Sequence, residues 1–98
     1  MFDKMKQLME MQKKMQQVKR ELEETVFESA SSDGNVRITM SGTQEVKGVA
    51  ISAGFAGLER SVLERASKDA YNKAIKRAQE IAASKMKEIS GLNIPGLT

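Results

Sequence analysis

The stretch Thr25-Val26-Phe27-Glu28-Ser29-Ala30-Ser31-Ser32-Asp33-Gly34-Asn35-Val36-Arg37-Ile38-Thr39-Met40-Ser41-Gly42 decides the fold. Its first six residues are β-prone. After the breaker cluster Ser31 to Gly34, Val36, Ile38 and Met40 alternate with Arg37, Thr39 and Ser41. A period of two gives a strand one buried and one solvated face, and an Asp-Gly pair between two such runs signals a tight hairpin turn. Ser41-Gly42-Thr43 punctuates again, and Glu45 to Ser52 carries Val49 and Ile51 in the same alternation. Residues 25–52 therefore predict a three-stranded antiparallel meander.

On both sides of this sheet the period changes from two to about 3.6. From Met1 to Glu24 there is no Gly or Pro, and Leu8, Met11, Met15, Val18 and Leu22 step by three and four. This is a heptad seam on a helix of roughly 36 Å, with Lys4 interrupting its first turn. The Met-rich face suits pairing with a symmetry mate or partner, and equally suits lying on the chain's own sheet; Met5 and Met9, off the seam, widen it. After the sheet, Ala53-Gly54-Phe55-Ala56-Gly57 reads as a small-residue connector, and Ser61-Val62-Leu63-Glu64 matches a capping box. A second helix is expected over 58–90, roughly 50 Å long, closed by Gly91 as a C-cap, with 91–98 as a flexible tail. Ala66, Ala70, Ala74, Ala78 and Ala82 recur every fourth residue. Such a row lets another backbone approach closely, as a packing seam against the sheet or a second subunit.

The expected class is α+β in a single domain, 1–98, with a long N-terminal helix, a three-stranded antiparallel meander and a long C-terminal helix. Two helices of that length exceed what three strands can cover, which leaves apolar surface for a second copy. A 98-residue chain buries only roughly 60 to 70% of its unfolded surface as a monomer. Self-association is the natural remedy.

The absence of Cys and His removes disulfides, thiol nucleophiles, thiolate sites and most zinc or His-based acid–base chemistry. No Gly-rich loop resembles a phosphate cradle, and adjacent pairs such as Glu23-Glu24 do not converge on a helix. An enzyme is the poorest class, and no cofactor, metal or small-molecule substrate is expected. Met1 to Glu10 contains no continuous apolar run, so neither a signal peptide nor a membrane span is expected, and the chain should reside in the cytoplasm.

The net charge of +3 is modest, but its distribution is uneven. Residues 1–20 hold Lys4, Lys6, Lys13, Lys14, Lys19 and Arg20 against Asp3 and Glu10, a local +4. Lys6, Lys13 and Arg20 recur every seventh residue opposite the seam, flanked by Lys14 and Lys19. Phosphate contact is one reading of that stripe. A solvated face is the other, since Glu10 and Glu24 lie four residues after Lys6 and Arg20. On the second helix Lys73, Lys76 and Arg77 form a smaller basic cluster among neutralising i,i+4 pairs.

The order of elements and several short motifs resemble the YbaB/EbfC family of nucleoid-associated proteins. The motifs are the Met/Gln/Lys-rich first helix (Met5-Lys6-Gln7 through Met15-Gln16-Gln17), Gly34 to Gly42 in the sheet, Val49-Ala50-Ile51-Ser52, Ala70-Tyr71-Asn72-Lys73-Ala74, Lys85-Met86 and Ile94-Pro95-Gly96. The resemblance spans nearly the whole chain through the order and spacing of motifs that are individually weak. The chain departs from it at Ser52 to Gly57, where many relatives have Asp-Pro and an acidic run. The resemblance implies an intertwined homodimer of a bacterial protein that binds duplex DNA in the nucleoid and affects nucleoid organisation and gene expression. It points to Lys6, Lys13, Lys14 and Arg20, with Lys73, Lys76 and Arg77 secondary, as the DNA-binding residues. Leu8, Met11, Met15, Val18, Ala66, Ala70, Ala74 and Ala78 are left for dimer or core packing. Two rivals stand beside DNA binding. One is a homodimeric protein-interaction module whose basic stripe only confers solubility; the other is a basic amphipathic helix at an anionic membrane surface, weakened by Glu10, Glu21, Glu23 and Glu24.

Overall fold

A computed structural model of the chain describes residues 2–52 and 59–93, with side chains through 88. The elements run α1 (Phe2–Glu24), β1 (Val26–Ala30), β2 (Val36–Ser41), β3 (Val46–Ile51) and α2 (Arg60–Asn93). The class is α+β, and the sheet is the expected antiparallel meander in the order β1-β2-β3. The connector 53–57 and the tail from residue 94 onward, including Ile94-Pro95-Gly96, lie outside the described residues.

Register follows from the alternation read in the sequence. Val36 faces Ile51 and Ile38 faces Val49 across β2 and β3, while Phe27 faces Met40 across β1 and β2. Directly opposed residues of an antiparallel pair share a face. The face carrying Val36, Ile38 and Met40 lies under α2, and its outward side carries the exposed Glu28–Arg37 pair at 3.9 Å. A register irregularity between Thr39 and Met40 brings Met40 opposite Val46.

The Asp33-Gly34 turn is wider than a two-residue hairpin. Residues 31–35 form the loop, because Asp33 accepts hydrogen bonds from the Ser31 hydroxyl at 2.6 Å and the Asn35 N–H at 3.0 Å. Those bonds hold the Asp33 carboxyl below the ordinary carboxylate range, the Ser31 hydroxyl foremost. Gly34 supplies φ +76°, a left-handed conformation that glycine adopts without a Cβ penalty.

The core is small and uneven. Its buried hydrophobic members are Val36, Ile38 and Met40 from β2, with Ala66, Ala70, Ala74 and Ala78 from α2; Phe27, Leu63 and Ile75 pack around them. The alanine row thus seats α2 on the chain's own sheet, and Ala82 is half-buried beyond it. With only methyl groups on the contact line, the helix backbone settles close against the strand. α2 packs on β2 and β1. Val46, Val49 and Ile51 of β3 share the helix-facing side yet stay 42, 60 and 46% exposed.

Both ends of α2 depart from the sequence reading. The helix begins at Arg60, where the Glu59 carbonyl accepts the N–H groups of Val62 and Leu63 at 3.0 and 3.2 Å, so Ser61 sits inside the first turn and is not the cap. Arg60 and Glu64 pair at 3.4 Å, which takes Glu64 from its presumed capping role. At the other end the helix continues through Gly91 to Asn93. One interior glycine costs only about 1 kcal/mol relative to alanine, too little to stop a helix by itself.

α1 has no buried residue. Its half-buried positions are Met11, Lys14, Val18, Glu21 and Leu22, while Leu8 and Met15 are 62 and 49% exposed. The heptad seam is therefore split: Met11 and Val18 lie on the more covered side, and Leu8 and Met15 do not. The inner end of α1 is fixed more firmly. Gly42 N–H reaches the carbonyls of Leu22 and Thr25, both at 2.9 Å, and a β-carbon on Gly42 would stand 2.8 Å from the Leu22 oxygen. Glu21 and Lys85 pair at 3.2 Å between the two helices. The result is elongated, 67 × 24 × 14 Å, with a radius of gyration of 18.9 Å where about 13 Å is usual for a compact chain of this length.

Candidate nucleic-acid interface

Seven residues of 3.6-period helix separate Lys6, Lys13 and Arg20, so they return to nearly the same line at intervals of roughly 10.5 Å. All three are exposed. Among the described residues no ion pair or hydrogen bond engages any of them. The local pairing of Lys6 with Glu10 and Arg20 with Glu24, open in the sequence, is therefore not formed. Lys14 is half-buried and already has an interaction within the chain, which separates it from the other three.

The cluster on α2 is not a unit. Lys73 donates to the Ser32 hydroxyl at 2.8 Å and pairs with Asp69 at 3.3 Å. Asp69 also accepts the Ser32 N–H at 2.8 Å, and that bond, aided by the Lys73 ammonium, lowers the Asp69 carboxyl from its ordinary value. Lys73 thereby helps clamp the β1–β2 loop onto α2. Arg77 lies over the Phe27 ring, 5.7 Å from guanidinium carbon to centroid, a cation–π contact at the rim of the core. Lys76 is exposed. Of the three, two have structural employment: the i,i+4 spacing anticipated the Lys73–Asp69 pair, but not the bond to Ser32 or the contact of Arg77 with Phe27.

Sequence reasoning also passed over the residues that fix where the stripe points. The Gly42 contact and the Glu21–Lys85 pair join elements 20 and 64 positions apart, and no local period signals either. Among the described residues no group of acidic residues is placed to hold a metal ion, and no helix is long and apolar enough to cross a membrane.

Comparison with known proteins adds an independent line. The model of the YbaB/EbfC DNA-binding family matches residues 1–92. A nucleoid-associated protein of Gloeothece citriformis is 41% identical over 102 residues, covering 98% of this chain and 82% of that protein. A nucleoid-associated protein of Dictyoglomus turgidum is 35% identical, covering 96% of this chain and 92% of the relative. In three dimensions the chain is similar to the crystal structure of an uncharacterised protein from Helicobacter pylori, with a TM-score of 0.76 and 20% identity over 84% of this chain and 87% of that one. At that identity the likeness concerns the fold alone.

Proposed function

Since the chain belongs to the YbaB/EbfC DNA-binding family, which is not an enzyme family, we propose that it acts as a homodimer in the nucleoid, gripping duplex DNA largely through its phosphates and thereby influencing nucleoid organisation and gene expression. The observation that carries this reading is the exposed, unpaired line Lys6, Lys13 and Arg20 on a helix with no buried residue. Lys14 assists from the flank, and Lys76 is the best-placed contributor on α2. Lys73 and Arg77 contribute only by giving up contacts they already make.

Phosphate contact displaces condensed counterions, so binding must weaken with salt. With three cations per protomer, a dimer neutralises about six phosphates, and affinity is expected to fall on the order of a thousandfold between 50 and 200 mM salt. Fluorescence anisotropy of a labelled duplex measures this directly. A binding constant flat across that range overturns the phosphate mechanism.

The uncovered β3 supports the dimer. An edge strand offers unpaired N–H and C=O groups, and Val46, Val49 and Ile51 add an apolar strip beside it. A second copy related by a two-fold axis satisfies both at once. Light scattering is expected to give twice the 10.8 kDa chain mass, and Val49→Glu to reduce it toward that of one chain. A single-chain mass for the unmodified protein contradicts the dimer.

A further inference from the structure

The basic line of α1 is not made of cations alone. Phe2, Lys6, Met9, Lys13, Gln16 and Arg20 follow one another at steps of four and three, so they share one exposed ridge, and Met5 borders it. At its outer end Phe2, Met5 and Met9 are 88, 66 and 58% exposed. Their Cβ atoms are spaced about 5–6 Å from one helical neighbour to the next, close enough for one continuous apolar tip. The chain's own packing leaves this tip alone: the more covered side of α1 carries Met11, Val18 and Leu22.

We propose that Phe2, Met5 and Met9 form a wedge that enters duplex DNA at a base step while Lys6, Lys13 and Arg20 hold the neighbouring phosphates, so that the protein unstacks and bends the DNA it binds. This rests on the DNA-binding reading above and adds a contact mode to it. Phe and Met are among the side chains that wedge between base pairs, one as a flat ring and the other as a flexible, polarisable chain. Charge complementarity selects the occupant. Against a second copy of this ridge, Lys6 and Lys13 would be drawn into a contact with like charges. A helix lying on a membrane needs an apolar face along its length with cations at its margins; here the ridge is apolar only at its outer end and cations interrupt it. DNA accepts both kinds of group together, apolar side chains at the bases and cations at the phosphates.

The test compares the unmodified protein with F2A/M5A/M9A, whose substitutions fall on exposed positions and are checked by circular dichroism. The probe is a duplex of about 25 base pairs carrying 2-aminopurine, which brightens on unstacking, and a dye at each end to report bending. The unmodified protein is expected to brighten the base and shorten the end-to-end distance. The triple variant is expected to do neither and to bind about tenfold more weakly with an unchanged salt slope. Binding without bending or unstacking, or full bending by the triple variant, overturns the wedge and leaves the phosphate reading standing. No binding of the unmodified protein at 50 mM salt overturns both. A drop in light-scattering mass for the triple variant assigns the tip to contacts between copies, and loss of binding to phosphatidylglycerol vesicles with DNA binding intact assigns it to a membrane; either result overturns the proposal.

Discussion

A chain with Lys6, Lys13 and Arg20 replaced by glutamine is expected to bind duplex DNA on the order of a thousandfold more weakly near 100 mM salt, while its fold and mass stay unchanged. Each phosphate contact contributes about 0.9 to the slope of log affinity against log salt. Removing six from the proposed dimer therefore flattens that slope by roughly five, and this change identifies the mechanism better than the lost affinity does. The prediction is clean because the three side chains are exposed and make no contact that the fold needs. The corresponding experiment on α2 is not clean, since Lys73 secures the β1–β2 loop and Arg77 covers Phe27. A triple glutamine variant with full affinity and an unaltered slope would make the stripe a solvated face, and the rival reading of a protein-interaction module would then lead.

What the sequence revealed of this molecule was set by period. Alternation from Val36 to Met40 located β2 and its buried face, and the gap-free 3.6 periods on either side located both helices, because each signal is carried by neighbours in the chain. The alanine row announced a seam but not its occupant; only the three-dimensional arrangement seats it on β2. The heptad seam of α1 likewise did not say which of its residues the chain's own packing covers: Met11 and Val18 are half-buried, Leu8 and Met15 exposed. A stripe records that apolar residues share a side, whereas coverage depends on the angle at which the helix leaves the sheet. That angle is set at Gly42 and Leu22 and by Glu21 with Lys85, none of them legible as a local pattern. The helix caps failed for a simpler reason: a capping motif and a lone glycine are each worth about 1 kcal/mol, easily overridden by a 34-residue helix packed along a sheet. For the candidate interface, spacing put Lys6, Lys13 and Arg20 on one line of α1, yet could not tell an unpaired lysine from one bonded to Ser32.

Truncating Met40 to alanine is expected to destabilise the fold by about 2–5 kcal/mol, the range for removing a buried methionine side chain. Met40 is fully buried and, among the described residues, the largest of the completely buried side chains. Its neighbours are poorly able to fill the space it leaves: among the described residues four of the seven buried hydrophobics are alanines, whose single methyl groups cannot extend into a cavity. Phe27, directly opposite, is restrained by the Arg77 guanidinium over its ring. For a domain of this size each kcal/mol lowers the melting temperature by about 4–8 °C, so a loss near 3 kcal/mol corresponds to roughly 12–24 °C. Calorimetry at matched protein concentration is the measurement, because the proposed dimer would make the midpoint depend on concentration. Met40→Leu keeps the volume and is expected to cost less than about 1.5 kcal/mol. The damage also reaches the helix proposed to face DNA. Met40 lies two residues before Gly42, on which the inner end of α1 is moored, so a cavity there loosens the mooring that aims the basic line. Met40→Ala should therefore weaken DNA binding even below its melting transition, with the salt slope retained, whereas the triple glutamine variant loses slope and keeps stability. If Met40→Ala melts within a few degrees of the unmodified protein, the β2–α2 contact is not the principal core, and the uncovered β3 face, closed by a second copy, must carry the stability instead.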